Sequence, residues 1–334
     1  MQGKRKYLSE FAVNLCSAGW LMMPASQLGS DGEMQPEAAE LSSRCHIYVI
    51  CRRPSLFFDP DTFTFAGGVI SGHLVYRTKG KPTRIEFKKP FPLYDEAVGL
   101  RLTEYPHREI HTFDDKGEVV RYMPAFGVAM SIGAHLRDDS LSNMEVLYVG
   151  QAYADGKRTA HDRLKSHSTL QRILAEASYT HPDDEIWIGM FEYPQYRVIA
   201  SFDGMTKGTI DGAEDSERFH SIFDNPLTTH QQICLAEAGL IRFFRPKYNE
   251  IYKETFPSEN QKILASCFEL DFSGLVVEID TEEIALGLYS DGVKPREHHL
   301  AQFDLVRRAE RASFFSITDR DGKVHTPEEI IAMK

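Results

Sequence analysis

The chain has 334 residues, 42% of them apolar and 26% charged, with no low-complexity block, the balance of a folded protein of more than one domain. Its net charge of −11 excludes a protein that coats nucleic acid through a global positive field, and no apolar run reaches the roughly 18–20 residues that cross a bilayer. The five scattered cysteines (Cys16, Cys45, Cys51, Cys234, Cys267) include no CxxC pair, which argues against structural zinc and for reduced thiols in a cytoplasmic protein.

In chain order, Lys4, Arg5 and Lys6 precede an apolar segment, Phe11 to Met23, in the layout of a signal peptide. Glu10 and Asn14 interrupt it, and Tyr7, Leu8, Phe11, Leu15 and Cys16 recur at helical spacing, so the favoured reading is a packed amphipathic helix. Residues 24–43, rich in Ser, Gly, Pro and acids, read as a linker that closes an N-terminal segment 1–43. From Cys45 to about Val120, β-branched and aromatic runs punctuated by Gly and Pro predict a β-rich domain, residues 44–123.

From Pro124 the pattern changes. "AFGVAMSIGA" and "MEVLYVGQA" are short apolar runs joined by the polar "HLRDDSLSN", which predicts a hairpin. A helix is expected over about 159–177, a third strand at "DEIWIGMFEYP", a Gly/Asp/Ser-rich insertion at about 201–216, and a helix from Thr229 that Pro246 stops. Residues 253–334 hold the strand "GLVVEID" and an amphipathic stretch from His299 to Phe315, and read as an α/β appendage. The expected class is α+β.

Two helices carry residues at odds with their faces. Ile233, Leu240, Ile241 and Phe244 share one face of "THQQICLAEAGLIRFF", and Glu237 stands in the middle of it. A carboxylate aimed at the interior is costly unless a cation or donors meet it, so the choice is a buried salt bridge or a metal ligand. Arg163 and His167 share a face with Ala160 and Leu164, which fits a solvated basic face or a phosphate-binding pair. In "LYVGQA" (147–152), strand alternation sends Leu147 and Val149 to the core and Tyr148 the other way, with Gly150 letting the chain turn off.

In the order "GVA … LYVGQA … RLKSH … LAEAGLIRFFRPKYN", residues 124–252 resemble the GIY-YIG nuclease superfamily. Tyr148-Val149-Gly150 matches the second half of the name motif, Arg163 the family's helix arginine, Glu237 its metal-binding glutamate, and Asn249 the usual tail of the domain. The Arg163/His167 pair is similar to the restriction-enzyme branch. The first motif should read Gly-Ile-Tyr. Its nearest candidate, Gly127-Val128-Ala129, lacks the phenol, and Tyr122 or Tyr153 would then substitute. His46-Ile47-Tyr48 keeps the tyrosine but works only if residues 51–140 are an insertion; the spacing favours Gly127.

The resemblance implies a small three-stranded antiparallel sheet flanked by helices, and hydrolysis of a phosphodiester with one Mg²⁺ or Mn²⁺. Glu237 would hold the metal, Tyr148, alone or through His167, would activate water, Arg163 would steady the transition state, and Asn249 would orient its neighbours. DNA is the expected substrate, with RNA the alternative, in restriction, mobile-element defence or repair. Gly150 and Lys165 are expected beside it. The segment 77–90 adds Arg77, Lys79, Lys81, Arg84, Lys88 and Lys89 against one acid, Glu86, as a phosphate-tracking surface or a solvated strand face.

The acidic C-terminal third fits a protein-contact or homo-oligomer element. His298-His299 lacks a carboxylate at helical spacing and is not read as a metal site. The competing function class is a degenerate domain that binds nucleic acid or protein without cutting, favoured by the missing first-motif tyrosine and the acidic balance.

Overall fold

A computed structural model of the chain describes residues 3–29, 36–153, 160–321 and 323–326. It is an α+β protein with two main sheets and an inserted lobe. The N-terminal segment is β1 (Ser9–Cys16) and β2 (Gly19–Pro24), not a helix. β1 is buried along almost its whole length, so its apolar residues follow no two-residue alternation that would have marked it as a strand. Its polar members are met inside: Arg311 pairs with Glu10, and Asn14 Nδ2 donates to Glu278 Oε1 at 2.6 Å. The expected linker holds a 3-10 turn at Ala25–Gly29 and α1 (Pro36–Arg44); residues 30–35 lie outside the described set.

β3 (Cys45–Pro54) follows directly and enters the main sheet, not the predicted β-rich domain. The lobe comes next: β4 (Phe57–Phe58), β5 (Thr64–Ala66), β6 (Val69–Thr78), β7 (Lys81–Pro90), β8 (Gly99–Leu102), β9 (Glu109–Phe113), β10 (Val119–Pro124), α2 (Ala125–Ser131) and α3 (Asp139–Ser142). It forms two small sheets around a core of its own that includes Phe58, Ile70, Leu74, Phe87, Ile110 and Val128. "AFGVAMSIGA", expected as a hairpin strand, begins as helix α2, and Gly127 lies in that helix and in no strand. Arg53 ties the lobe to the sheet: its guanidinium is buried 3.8 Å from the centroid of the Phe126 ring and 3.6 Å from Glu185.

The chain re-enters the main sheet at β11 (Asn143–Gln151) and continues through α4 (Ala160–Lys165), α5 (Ser168–Thr180), β12 (Asp184–Glu192), β13 (Arg197–Phe202), α6 (Ala213–Asp224), α7 (Thr229–Phe244) and α8 (Ala265–Glu269). Thr228 and Gln231 form a reciprocal capping box at the start of α7. Arg245 in the left-handed region, followed by Pro246, ends it. The C-terminal strands β14 (Gly274–Asp280), β15 (Gly287–Ser290), β16 (Val293–Arg296) and β17 (His298–Asp304) follow, and a short antiparallel pair, β18 (Ile317–Thr318) and β19 (Val324–His325), comes last.

The main sheet runs β16-β15-β11-β3-β12-β2, and the second runs β13-β1-β14-β17. The C-terminal strands therefore complete both sheets and are no appendage; the stretch expected to be amphipathic from His299 begins as strand β17. β3 lies in the middle, antiparallel to both β11 and β12. α7 packs its apolar face (Ile233, Leu240, Ile241, Phe244) into the larger core, while α4 and α5 cover the opposite face of the sheet with Leu164, Leu170 and Ile173.

Candidate active site

The site grows from the β3–β11 pair. Gly150 stands opposite Tyr48, and Tyr148 opposite Ile50. His46-Ile47-Tyr48, not Gly127-Val128-Ala129, is thus the strand that meets Tyr148-Val149-Gly150, and residues 55–142 lie between the two. Tyr48 therefore supplies a second phenol beside Tyr148.

A bulge where the register shifts between Val146 and Tyr148 aims the second phenol. Val146 and Val149 face the larger core, while Leu147 and Tyr148 both face the other side, toward Tyr48. Simple alternation had put Leu147 and Tyr148 on opposite faces. The two tyrosine rings lie 6.1 Å apart at 29°. Gly150 does not turn the chain; it sits within β11, and a Cβ there would lie 2.6 Å from Tyr48 Cζ and 2.7 Å from Tyr148 Cε1. Its lack of a side chain is what lets both rings lie against the strand.

Arg163 and His167 do not share one helix. The helix breaks after Lys165, and His167 is the N-cap of α5: the Leu170 N–H donates to its Nδ1 at 3.2 Å. Nδ1 as acceptor leaves the proton of a neutral imidazole on Nε2. That nitrogen lies 3.3 Å from Tyr48 Oη, so it is His167 that donates to the phenol oxygen. Burial, and then the charge of Arg163, lower the His167 pKa and keep the ring neutral.

Glu237 reaches the same place from α7. A cavity of about 270 Å³ is lined by Tyr48, Tyr148, Gln151, Ala152, Tyr153, Arg163 and Glu237. Burial pushes the Glu237 carboxyl up to about 7, and hydrogen bonds from Gln151 with the charge of Arg163 offset only part of this. Burial also raises both phenols; at Tyr148 the Glu237 charge adds to it and Arg163 opposes it.

Asn249 acts from outside the cavity. The Val149 N–H donates to its Oδ1 at 2.9 Å and its Nδ2 donates to the Val149 carbonyl at 2.8 Å. With the Tyr248 N–H on the Leu147 carbonyl, it replaces a missing neighbour strand along β11. Tyr248 Oη in turn donates to Glu176 on α5 at 2.6 Å.

The expected substrate contacts divide. Lys165 is exposed at the end of α4. The basic segment is the β6–β7 hairpin, and its charges do not form one face: Lys81 and Lys89 share the side of Ile85 and Phe87, while Arg84 and Lys88 take the other. Lys89 Nζ donates to Ser131 Oγ at 2.7 Å and Arg84 pairs with Asp59 at 3.3 Å, so these two have internal work. Arg77, Lys79 and Lys81 gather at the exposed tip. Tyr122 is exposed on β10, while Tyr153 does line the cavity. His298 and His299 go to Glu278 and to the Leu288 carbonyl.

Sequence reasoning missed Gln151, whose Nε2 also donates to Cys234 Sγ at 3.4 Å; its place directly after the glycine of "YVGQ" was the available signal. Among the described residues no three His, Cys, Asp or Glu side chains gather to hold a metal. A lone ionisable carboxylate in a polar cavity suits a hard cation that keeps water and phosphate oxygens as its other ligands, not a thiolate- or imidazole-bound metal. No protein family, curated protein or solved structure matches this chain. No helix among the described residues is long and apolar enough to cross a membrane.

Proposed function

We propose that the protein is a metal-dependent endonuclease of the GIY-YIG kind that hydrolyses phosphodiester bonds in DNA, within restriction, mobile-element defence or repair. The observation that carries this reading is convergence: Tyr48, Tyr148, Arg163 and Glu237, drawn from four separate elements, line one cavity, with His167 bonded to Tyr48. The alternative of a degenerate binding domain rested on a missing phenol and on the acidic balance, and Tyr48 removes the first of these reasons.

A bound Mg²⁺ or Mn²⁺, held by Glu237, supplies a Lewis acid for the phosphate. The remaining work falls to the chain. Arg163 binds the phosphate oxygens and offsets the charge that grows in the transition state. Tyr48, beside Tyr148, first gives its own proton to solvent and then, as the phenolate, takes the proton of the attacking water. His167 donates Nε2–H to Tyr48 Oη and so favours the phenolate; it supports the base and is not itself the proton acceptor. Asn249 holds the edge of β11 and thereby the position of Tyr148.

The test is cleavage of supercoiled plasmid with Mg²⁺ or Mn²⁺, with an RNA substrate in parallel. Glu237→Ala abolishes metal-dependent cutting and leaves the circular dichroism of the fold unchanged. Undiminished cutting by that variant refutes the assignment.

A further inference from the structure

A second cleft, of about 360 Å³, lies where the lobe meets the loop before β12. Its walls are apolar and aromatic, with Phe57, Pro60, Tyr105 and Pro106 from the lobe and Pro182 from the other side. Tyr105 is 87% exposed, a large ring with almost no packing, held edge-on to His107 at 6.2 Å. The loop beneath it is fixed: His107 Nδ1 bonds the Thr103 carbonyl at 2.7 Å, and the Phe58 N–H donates to the His107 carbonyl at 2.9 Å.

The charge at this cleft is cationic. Arg77 and Arg108 line it; Arg77 lies over the Phe57 ring at 5.1 Å, and Arg108 is 3.7 Å from Glu185. The one lining carboxylate, Asp183, already accepts the Gly80 N–H at 2.9 Å and so holds the hairpin tip with Lys79 and Lys81 against the rim. An unpacked aromatic ring, a cleft large enough for one planar base, and cations at its mouth are the parts of a stacking site for nucleic acid.

We propose that this cleft takes one unpaired nucleobase of the DNA substrate, stacked on Tyr105, with Arg77 and the tip lysines on its flanking phosphates. The choice of ligand rests on the nuclease reading. Six residues of β3 separate Tyr48 from Ser55 at the cleft, and the seven steps span roughly 23 Å of extended chain. The base is therefore bound well away from the bond that is cut.

The probe is a DNA duplex with a single bulged 2-aminopurine, compared with the same duplex fully paired. The expected result is roughly tenfold tighter binding of the bulged duplex, with quenching of the 2-aminopurine on binding. Tyr105→Ala removes both the preference and the quenching, and retains plasmid cleavage at saturating DNA. Equal affinity of the wild-type protein for the two duplexes, or a preference that survives Tyr105→Ala, overturns the proposal. A wild-type protein that shows no preference but still cuts in a Glu237-dependent way sinks the base site alone. A retained preference without any Glu237-dependent cleavage sinks the nuclease reading and leaves the base site standing.

Discussion

Glu237→Gln should stabilise the metal-free protein, and should do so more at higher pH. The carboxyl is pushed from its ordinary 4.5 up to about 7, chiefly by burial. A folded state that binds a proton more tightly than the unfolded state loses stability as pH rises, here from about 4.5 until the group is ionised above 7. At 1.36 kcal/mol per pH unit, the charge costs the fold about 3 kcal/mol at pH 8 and only about 1 kcal/mol at pH 5. Glutamine keeps the shape and removes the charge. Urea unfolding in EDTA at the two pH values measures the gap between variant and wild type, which should widen by about 2 kcal/mol toward pH 8. Adding Mg²⁺ at tenfold its Kd should return about 1.4 kcal/mol to the wild-type protein and nothing to the variant. A variant no more stable than wild type at pH 8, or a gap indifferent to pH, would refute the claim that burial holds this carboxylate in readiness for a cation.

His167→Ala should slow cleavage and move the pH–rate profile to higher pH, because Tyr48 loses the donor that favours its phenolate; loss of an acidic limb instead would show that the imidazole takes the proton itself. Gly150→Ala should cut the rate about a hundredfold, since its Cβ displaces both phenols by most of an ångström. Stability should fall by about 1–3 kcal/mol, and a rate near wild type would mean that the rings do not need their present places. Asn249→Ala leaves the Val149 N–H and carbonyl without partners and should cost about 2–4 kcal/mol by urea unfolding, with a drop in rate. An unchanged unfolding midpoint would show that water replaces the side chain without loss.

The chemistry of the site was more legible than its scaffold. Glu237 stood out because a carboxylate within an apolar helical face violates a strong rule, and periodicity alone sufficed to find it. Arg163 and His167 were found for a similar reason, but a break after Lys165 has no proline or glycine to announce it, so the two residues were read onto one helix. The N-cap role of His167, which fixes its tautomer, depends on that break. Tyr148 was seen, but its direction was not, because a one-residue bulge reverses the alternation on which the reading relied. β1 was misassigned because burial on both faces erases the period that separates strand from helix. The buried Ala125, Val128 and Ala129 of α2 do keep helical spacing, but a helix of seven residues is too short for the period to stand out.

Tyr48 was set aside for its distance along the chain, and that argument was weak on its own terms. Enlarging a loop from about 10 to about 90 residues costs only about 2 kcal/mol of closure entropy. One buried side chain in the β3–β11 pair returns about as much. The two strands run antiparallel, and Arg52 and Glu145, near the ends where the chain leaves β3 and enters β11, stand opposite each other and form an ion pair. An insertion whose ends are held together in this way needs only a fold of its own, and the lobe has one, built around Phe58, Ile70, Leu74, Phe87 and Ile110. The β3–β11 pair is therefore a hairpin with a domain in place of its turn, and it replaces the hairpin expected between "AFGVAMSIGA" and "MEVLYVGQA". Distance in sequence separated the two tyrosines on paper, while strand pairing, whose closure cost depends on that distance only logarithmically, kept Tyr48 and Tyr148 side by side.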